Sequence, residues 1–272
     1  MQMIKRLFNF YINGSIHVGV AAFALVSMTM YFFAIQGNFE VKAFVFFGTI
    51  IGYNFVKFDA LIRRNGSSIG KELQFIIGLT LCSSLVALYF FLQLRSITQT
   101  VVVVVVSLVL LYTLPFFPNK QNARNWKGIK IYIVSLSWVI VTVLLPLINA
   151  KIHFTEAVLL LCMQRFLLIF VLVLIFEIID FNNDDPHLKT VPQQIGIERT
   201  KLLGNTLLIV FLSLEFLYLE KQEYFPLLLK CIVSCVIAIF LYFANETRSR
   251  YYASFWVESI PTFWWLLVVY LK

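Results

Sequence analysis

The chain has 272 residues, 60% of them hydrophobic and only 13% charged, with a formal net charge of +8 and a mean hydropathy of +0.86. Soluble domains carry charge on about a quarter of their residues, so this composition excludes an ordinary soluble fold. Several apolar runs approach the ~20 residues needed to cross a hydrocarbon core, and the expected class is all-α: a polytopic membrane helical bundle.

About nine transmembrane helices are expected in chain order: 12–35, 41–58, 72–94, 98–117, 130–149, 154–180, 202–219, 225–244 and 252–271. They leave little chain for anything else, so residues 1–272 are read as one membrane-embedded domain. Lys5 and Arg6 would suit the start of a secretory signal, but Asn13, Gly14, Ser15 and His17 interrupt the apolar stretch that follows. The segment is therefore taken as the first span. Cys82, Cys162, Cys231 and Cys235 all lie in apolar runs, without nearby His or carboxylate partners, and are expected to pack.

The positive charge belongs to particular loops. With the N-terminus in the cytoplasm, Lys5, Arg6, Arg63, Arg64, Lys71, Lys120, Arg124, Lys127, Lys130, Lys189, Arg199, Lys201, Arg248 and Arg250 all fall on the cytoplasmic side. The opposite side receives Lys42, Arg95, Lys151, Lys221 and Lys272. That imbalance follows the positive-inside bias, and it accounts for the basic residues without a nucleic-acid partner. The three longest loops, near 59–71, 118–129 and 181–201, share the cytoplasmic side, where function is expected. A bacterial inner (plasma) membrane is the expected location.

Acid is concentrated where the sixth span ends. Of 14 Asp and Glu, four lie in "FEIIDFNNDDPHLKTVPQQIG": Glu177, Asp180, Asp184 and Asp185. On a helix continuing to Asp184, Glu177, Asp180 and Asp184 would fall within about 60° of one another. Clustered carboxylates near a bilayer are costly, and a divalent cation would relieve the cost. Mg²⁺ uses one or two carboxylates and completes its shell with water and phosphate oxygens. Lys189, Thr190 and the stiffening Pro192 follow directly, a combination suited to a diphosphate. Lys120 and Arg124, in the basic segment "PNKQNARNWKGIK", are further candidates to bind the diphosphate.

"DFNND…LKTVPQQIG" resembles the second aspartate-rich motif of the UbiA superfamily of membrane prenyltransferases. Glu177, Asp180, Asp184, Lys189, Thr190, Pro192 and Gly196 occupy matching positions, with His187 where glycine is usual. The resemblance implies nine helices, with both motifs on the cytoplasmic side after the second and sixth. It implies an isoprenyl diphosphate held through Mg²⁺, ionised, and directed as an allyl cation onto a lipophilic, often aromatic, acceptor. By that carry-over Asp180, Asp184, Asn54 and Lys57 are candidate catalytic residues, and Glu177, Asp180 and Asp184 candidate metal ligands.

The first motif departs from the pattern. "GYNFVKFDALIRRNG" keeps Asn54 but has Phe55, Phe58 and Ile62 at the acidic positions, and Asp59 points about 140° from Asn54. Lys57 lies on the same side as Asn54. Three roles stay open for it: a fixed cation in place of one Mg²⁺, a salt bridge to Asp180 or Asp184, or snorkelling to the surface. Prenyl transfer therefore stands beside an alternative of another class, an isoprenoid-binding or scaffold protein without catalysis. Among other embedded polar residues, Arg165 is read as facing the same cavity or pairing with Glu215 or Glu258. Glu258 is read as approaching the cavity from helix nine, and His17 as interfacial.

Overall fold

The computed structural model describes residues 2–65, 70–114, 128–185, 188–216 and 224–271, with side chains at 59–65 and 224–225 left aside. The candidate phosphate residues Lys120 and Arg124, and His187, lie outside the described residues. Eleven helices are described: α1 Gln2–Asn13, α2 Ile16–Phe32, α3 Phe39–Asn65, α4 Lys71–Gln93, α5 Ser96–Thr113 and α6 Lys130–Asn149. They continue as α7 Glu156–Ile179, α8 Val191–Ile195, α9 Ile197–Phe216, α10 Tyr224–Phe243 and α11 Ile260–Tyr270. α6 contains a π-helical turn at Ile140–Leu144, and a second, Tyr252–Val257, precedes α11.

Among the described residues, each of the nine expected spans falls mostly on helix. Six described helices are long and apolar enough to cross a membrane, α3 through its Phe39–Phe58 part, and α1 with α2 makes a seventh if that bent pair is one span. α9 carries Glu198, Arg199 and Lys201 in its first turns, and the last span is broken between π and α geometry.

The first span is not continuous as expected. It breaks at Gly14–Ser15 with a bend of 54° between α1 and α2. Ser15 takes the left-handed φ of 61°, and a Cβ on Gly14 would stand 2.8 Å from the Phe10 carbonyl oxygen, so only glycine closes this turn without a clash. α1 exposes Met3, Ile4 and Leu7 beside Lys5 and Arg6, and Tyr251 donates to Asn9 at 2.7 Å.

Two helices organise the core. In α7 61% of the span window is buried, against 17% in α4. Leu168, Ile175 and Ile178 of α7 pack with Leu25 and Met28 of α2, Phe211 of α9, Ile237 of α10 and Trp264 of α11. At about 1.5–3 kcal/mol per buried large apolar side chain relative to exposure, this cluster dominates the packing. A second cluster joins Val26 and Met30 of α2 to Val41 and Val45 of α3 and Leu145 of α6.

Polar contacts fix which helix ends meet. At one end Asn149 accepts from the Arg95 N–H at 3.1 Å and its amide reaches Asn38 at 3.2 Å. At the other, the Gly128 N–H donates to the Leu188 carbonyl at 2.9 Å and Lys130 reaches Asp184. The chain thus alternates direction, and the second end carries the basic loops. Reporter fusions after Lys189 and Arg250 are expected to read cytoplasmic, and fusions at Gly37 and Lys151 external. A cytoplasmic signal at Lys151 would break this arrangement.

Two further expectations are corrected. The loop expected at 59–71 is helical as far as Asn65, because α3 continues past the membrane-length segment. The loop expected at 181–201 is mostly ordered: α8 starts at Val191 and α9 at Ile197, separated by Gly196 at φ 83°.

Candidate active site

The acidic segment does not continue α7. The helix ends at Ile179, and Asp180 is its C-cap, with its N–H still bonded to the Phe176 carbonyl at 2.9 Å. The Asn183 and Asp184 N–H groups then fold back onto the Asp180 carbonyl, each at 2.8 Å. The single helical face expected for Glu177, Asp180 and Asp184 is therefore not formed.

The three acids have different surroundings. Glu177 is buried at 2% exposure, and its Oε2 accepts the Val191 N–H at 3.0 Å. That bond satisfies one of the orphan donors at the start of α8. Asp184 is half-buried and lies 3.5 Å from the Lys130 ammonium. Among the described residues, no group of three His, Cys, Asp or Glu is placed to hold a metal ion. The expected set of Glu177, Asp180 and Asp184 is thus not assembled: Glu177 serves the backbone and Asp184 faces a lysine. This donor set does not fit the Mg²⁺ site that the resemblance implies.

The turn after the acids is held tightly. Gln193 Oε1 accepts from the Thr190 N–H at 3.0 Å, and its Nε2 donates to the Asp184 carbonyl at 3.3 Å. Gln194 Nε2 donates to the Lys189 carbonyl at 2.6 Å. Lys189 is exposed and adopts a left-handed φ of 47°, while Thr190 is buried at the start of α8. The sequence-expected Lys189 and Thr190 therefore sit together on one pinned turn, beside the Asp184–Lys130 pair.

α3 carries the remaining candidates, with different chemistry. Asn54 is buried, and its amide nitrogen is spent on the Gly14 carbonyl at 3.1 Å and Thr80 Oγ1 at 2.9 Å. It ties α3 to the α1–α2 turn and to α4. Lys57, one turn on, is exposed; its ammonium donates to Ser15 Oγ at 3.0 Å and lies 5.9 Å from the Tyr53 ring centre. The salt bridge considered for Lys57 with Asp184 is not made, since Asp184 is paired with Lys130. Tyr53 accepts from Trp138 Nε1 at 3.0 Å, which joins α3 to α6.

Glu258 lies between the π turn Tyr252–Val257 and α11. Its direction is set by the π turn before it, which is clamped to α2. The Phe255 carbonyl accepts from His17 Nε2 at 2.9 Å and from Ser259 Oγ at 2.6 Å. With that proton on Nε2, Nδ1 accepts from the Tyr11 hydroxyl at 2.9 Å. His17 is a buried structural clamp, not the interfacial residue expected.

Arg165 pairs with neither Glu215 nor Glu258. It is 1% exposed, with Nη2 3.4 Å from Thr29 Oγ1 and Nη1 without a partner among the described residues. Glu215 is taken by Lys230 and by Gln164, whose Nε2 donates to it at 2.9 Å. The sequence reading missed this network, although Lys230 in "PLLLKCIV" and Glu215 in "LSLEF" are opposite charges inside apolar runs.

No protein-family model matches the chain, and no curated protein matches it. Among solved structures it is similar to a digeranylgeranylglyceryl phosphate synthase, described in work on biosynthesis in membranes. The TM-score is 0.53 at 15% identity, covering 97% of this chain and 96% of that one. The synthase belongs to the UbiA superfamily, and the likeness shows that this chain has a UbiA-like all-α membrane fold.

Proposed function

We propose that the chain, acting as one membrane-embedded unit, binds an isoprenyl diphosphate at its basic end and transfers the isoprenyl group to a lipophilic acceptor, an aromatic ring being the expected class. The observation that carries this reading is the pinned turn of Lys189 and Thr190 beside Lys130, on a fold of this type. Diphosphate leaves only where cations meet its developing charge. These lysines supply cations at the end of the bundle where a headgroup would lie, with the tail running inward. When the C–O bond breaks, its electron pair stays on the diphosphate and an allyl cation remains. Such a cation needs aromatic faces and exclusion of water. Tyr53 and Trp138, edge to face with ring centres 6.3 Å apart, stand one turn deeper than Lys57. The acceptor then forms the new bond and releases a proton.

A second reading is isoprenoid binding without transfer. It is favoured by Asn54, whose amide nitrogen is committed to Gly14 and Thr80. We place the N-terminus in the cytoplasm of a bacterial plasma membrane, from the distribution of basic loops.

The test is incubation of the purified full chain with farnesyl and geranylgeranyl diphosphate, with and without Mg²⁺, reading released diphosphate. Release beyond that of a protein-free control is the expected result. Binding without release would favour the second reading, and no binding would remove both.

A further inference from the structure

We propose that α1 is an interfacial helix that docks on anionic phospholipid at the basic end of the bundle. Lys5 and Arg6 meet the headgroup phosphates, and Met3, Ile4 and Leu7 enter the acyl region beneath them.

The sequence of α1, QMIKRLFNFYIN, is divided lengthwise. At 100° per residue, Gln2, Lys5, Arg6, Asn9 and Asn13 share an arc of about 100°, and every other residue of the helix is apolar or aromatic. Lys5 and Arg6 stand at the two edges of the polar arc. From there long basic side chains reach phosphates while their stems lie along apolar surface. A spanning helix is built otherwise: α4 exposes Leu81, Leu85, Leu88 and Leu92, and carries no charged residue after Glu72.

The bundle itself uses only part of the apolar arc. Phe8 packs on Tyr251 and Phe255, with ring centres 5.7 and 5.1 Å apart, and Tyr11 donates to His17 at 2.9 Å. Asn9 accepts from the Tyr251 hydroxyl at 2.7 Å. These contacts hold the second half of α1 against α2 and the π turn. The first half stands off, with Met3, Ile4 and Leu7 at 72%, 69% and 61% exposure. A span tilts by about 20° on average, so a helix bent by 54° from α2 leans toward the membrane plane. Its apolar arc then meets acyl chains at the depth of the headgroups.

Charge selects anionic lipid. α1 contains no acid, and its two cations lie near its N-terminal end, the positive end of the helix dipole. Among the described residues neither cation is in an ion pair. The segment that α1 touches adds to the excess: Arg248 and Arg250 are exposed just before Tyr251, with Glu246 the one acid in 245–250. A zwitterionic surface leaves these four cations and one carboxylate unmatched. An anionic surface attracts each basic residue within a Debye length of it.

The test follows amide exchange in α1 by mass spectrometry, on the full chain in nanodiscs of phosphatidylcholine with and without phosphatidylglycerol. Anionic lipid is expected to slow exchange in the first half of α1 about 25-fold, at about fivefold for each of two basic residues held near an anionic surface. Lys5→Gln/Arg6→Gln is expected to exchange at the phosphatidylcholine rate in both discs, as is the parent chain at high salt. Met3→Ser/Ile4→Ser/Leu7→Ser is expected to exchange fast in both, because its cations have lost their anchor in the acyl region. All five side chains are exposed, so these variants spare the packed core. Equal exchange of the parent chain in the two lipids would overturn the proposal. Protection that persists in detergent and rises with protein concentration would overturn it too, by placing a second copy of the chain on this face.

Discussion

Lys230→Met is expected to cost about 3–5 kcal/mol of stability, the range for breaking a buried ion pair from one side. Lys230 and Glu215 are paired at 8% and 13% side-chain exposure, within the bundle. Gln164 binds both, accepting from Lys230 at 3.0 Å and donating to Glu215 at 2.9 Å, and the Lys230 ammonium lies 5.9 Å from the Phe32 ring centre. Removing the lysine leaves Glu215 charged with one amide donor in surroundings that solvate it poorly. Removing both charges is different: Lys230→Met with Glu215→Gln leaves two neutral amides able to bond each other, and most of the loss is expected to return. Thermal unfolding of the single and double variants in detergent measures the coupling. A single variant as stable as the parent would mean that water reaches the pair and screens it. The neighbouring Arg165 gives the network a second buried cation, so Glu215→Gln alone is expected to destabilise as well.

Hydrophobic runs made the helices legible from sequence. Their length and spacing pointed to helix in each expected stretch, six or seven of which are long and apolar enough to cross, because a chain in lipid must satisfy its backbone hydrogen bonds within each helix. What could not be read was where helical geometry fails inside or just beyond an apolar run. Asn13-Gly14-Ser15 signalled the break in the first span, yet hydropathy carried the reading across it. The π turns at Ile140–Leu144 and Tyr252–Val257 leave no mark in composition. Each inserts a residue into the helical register, which turns everything beyond it by about 100°. The direction of Glu258 depends on the second of these turns and on the clamp from His17, 241 positions earlier in the chain. Periodicity alone could not supply it. The acidic motif shows the same limit: its residues were correctly singled out, but their geometry assumed a helix that stops at Ile179.

The role of Glu177 separates the two accounts of that motif, and here the second large effect is expected. As a metal ligand, Glu177 would need its negative charge, and Glu177→Gln would weaken any Mg²⁺-dependent binding of a prenyl diphosphate. As the anchor described above, it needs only an oxygen that accepts the Val191 N–H, which glutamine also has. Glu177→Gln is therefore expected to leave ligand affinity and stability close to those of the parent. Glu177→Leu keeps the volume but leaves the Val191 donor buried and unmatched, at a cost of about 1–3 kcal/mol. The loss does not stop at one bond. α8 is a single short turn whose start carries Thr190 and Lys189, and its hold on α7 passes through this carboxylate. Once it is freed, Lys189 no longer keeps its left-handed conformation beside Lys130, and affinity for farnesyl thiodiphosphate is expected to fall about tenfold or more, as for a lost charge-assisted contact. Measuring affinity and melting temperature on both variants decides the matter: a leucine variant that binds as well as the parent would show that the turn stands without its anchor. A glutamine variant as damaged as the leucine variant would return Glu177 to the metal.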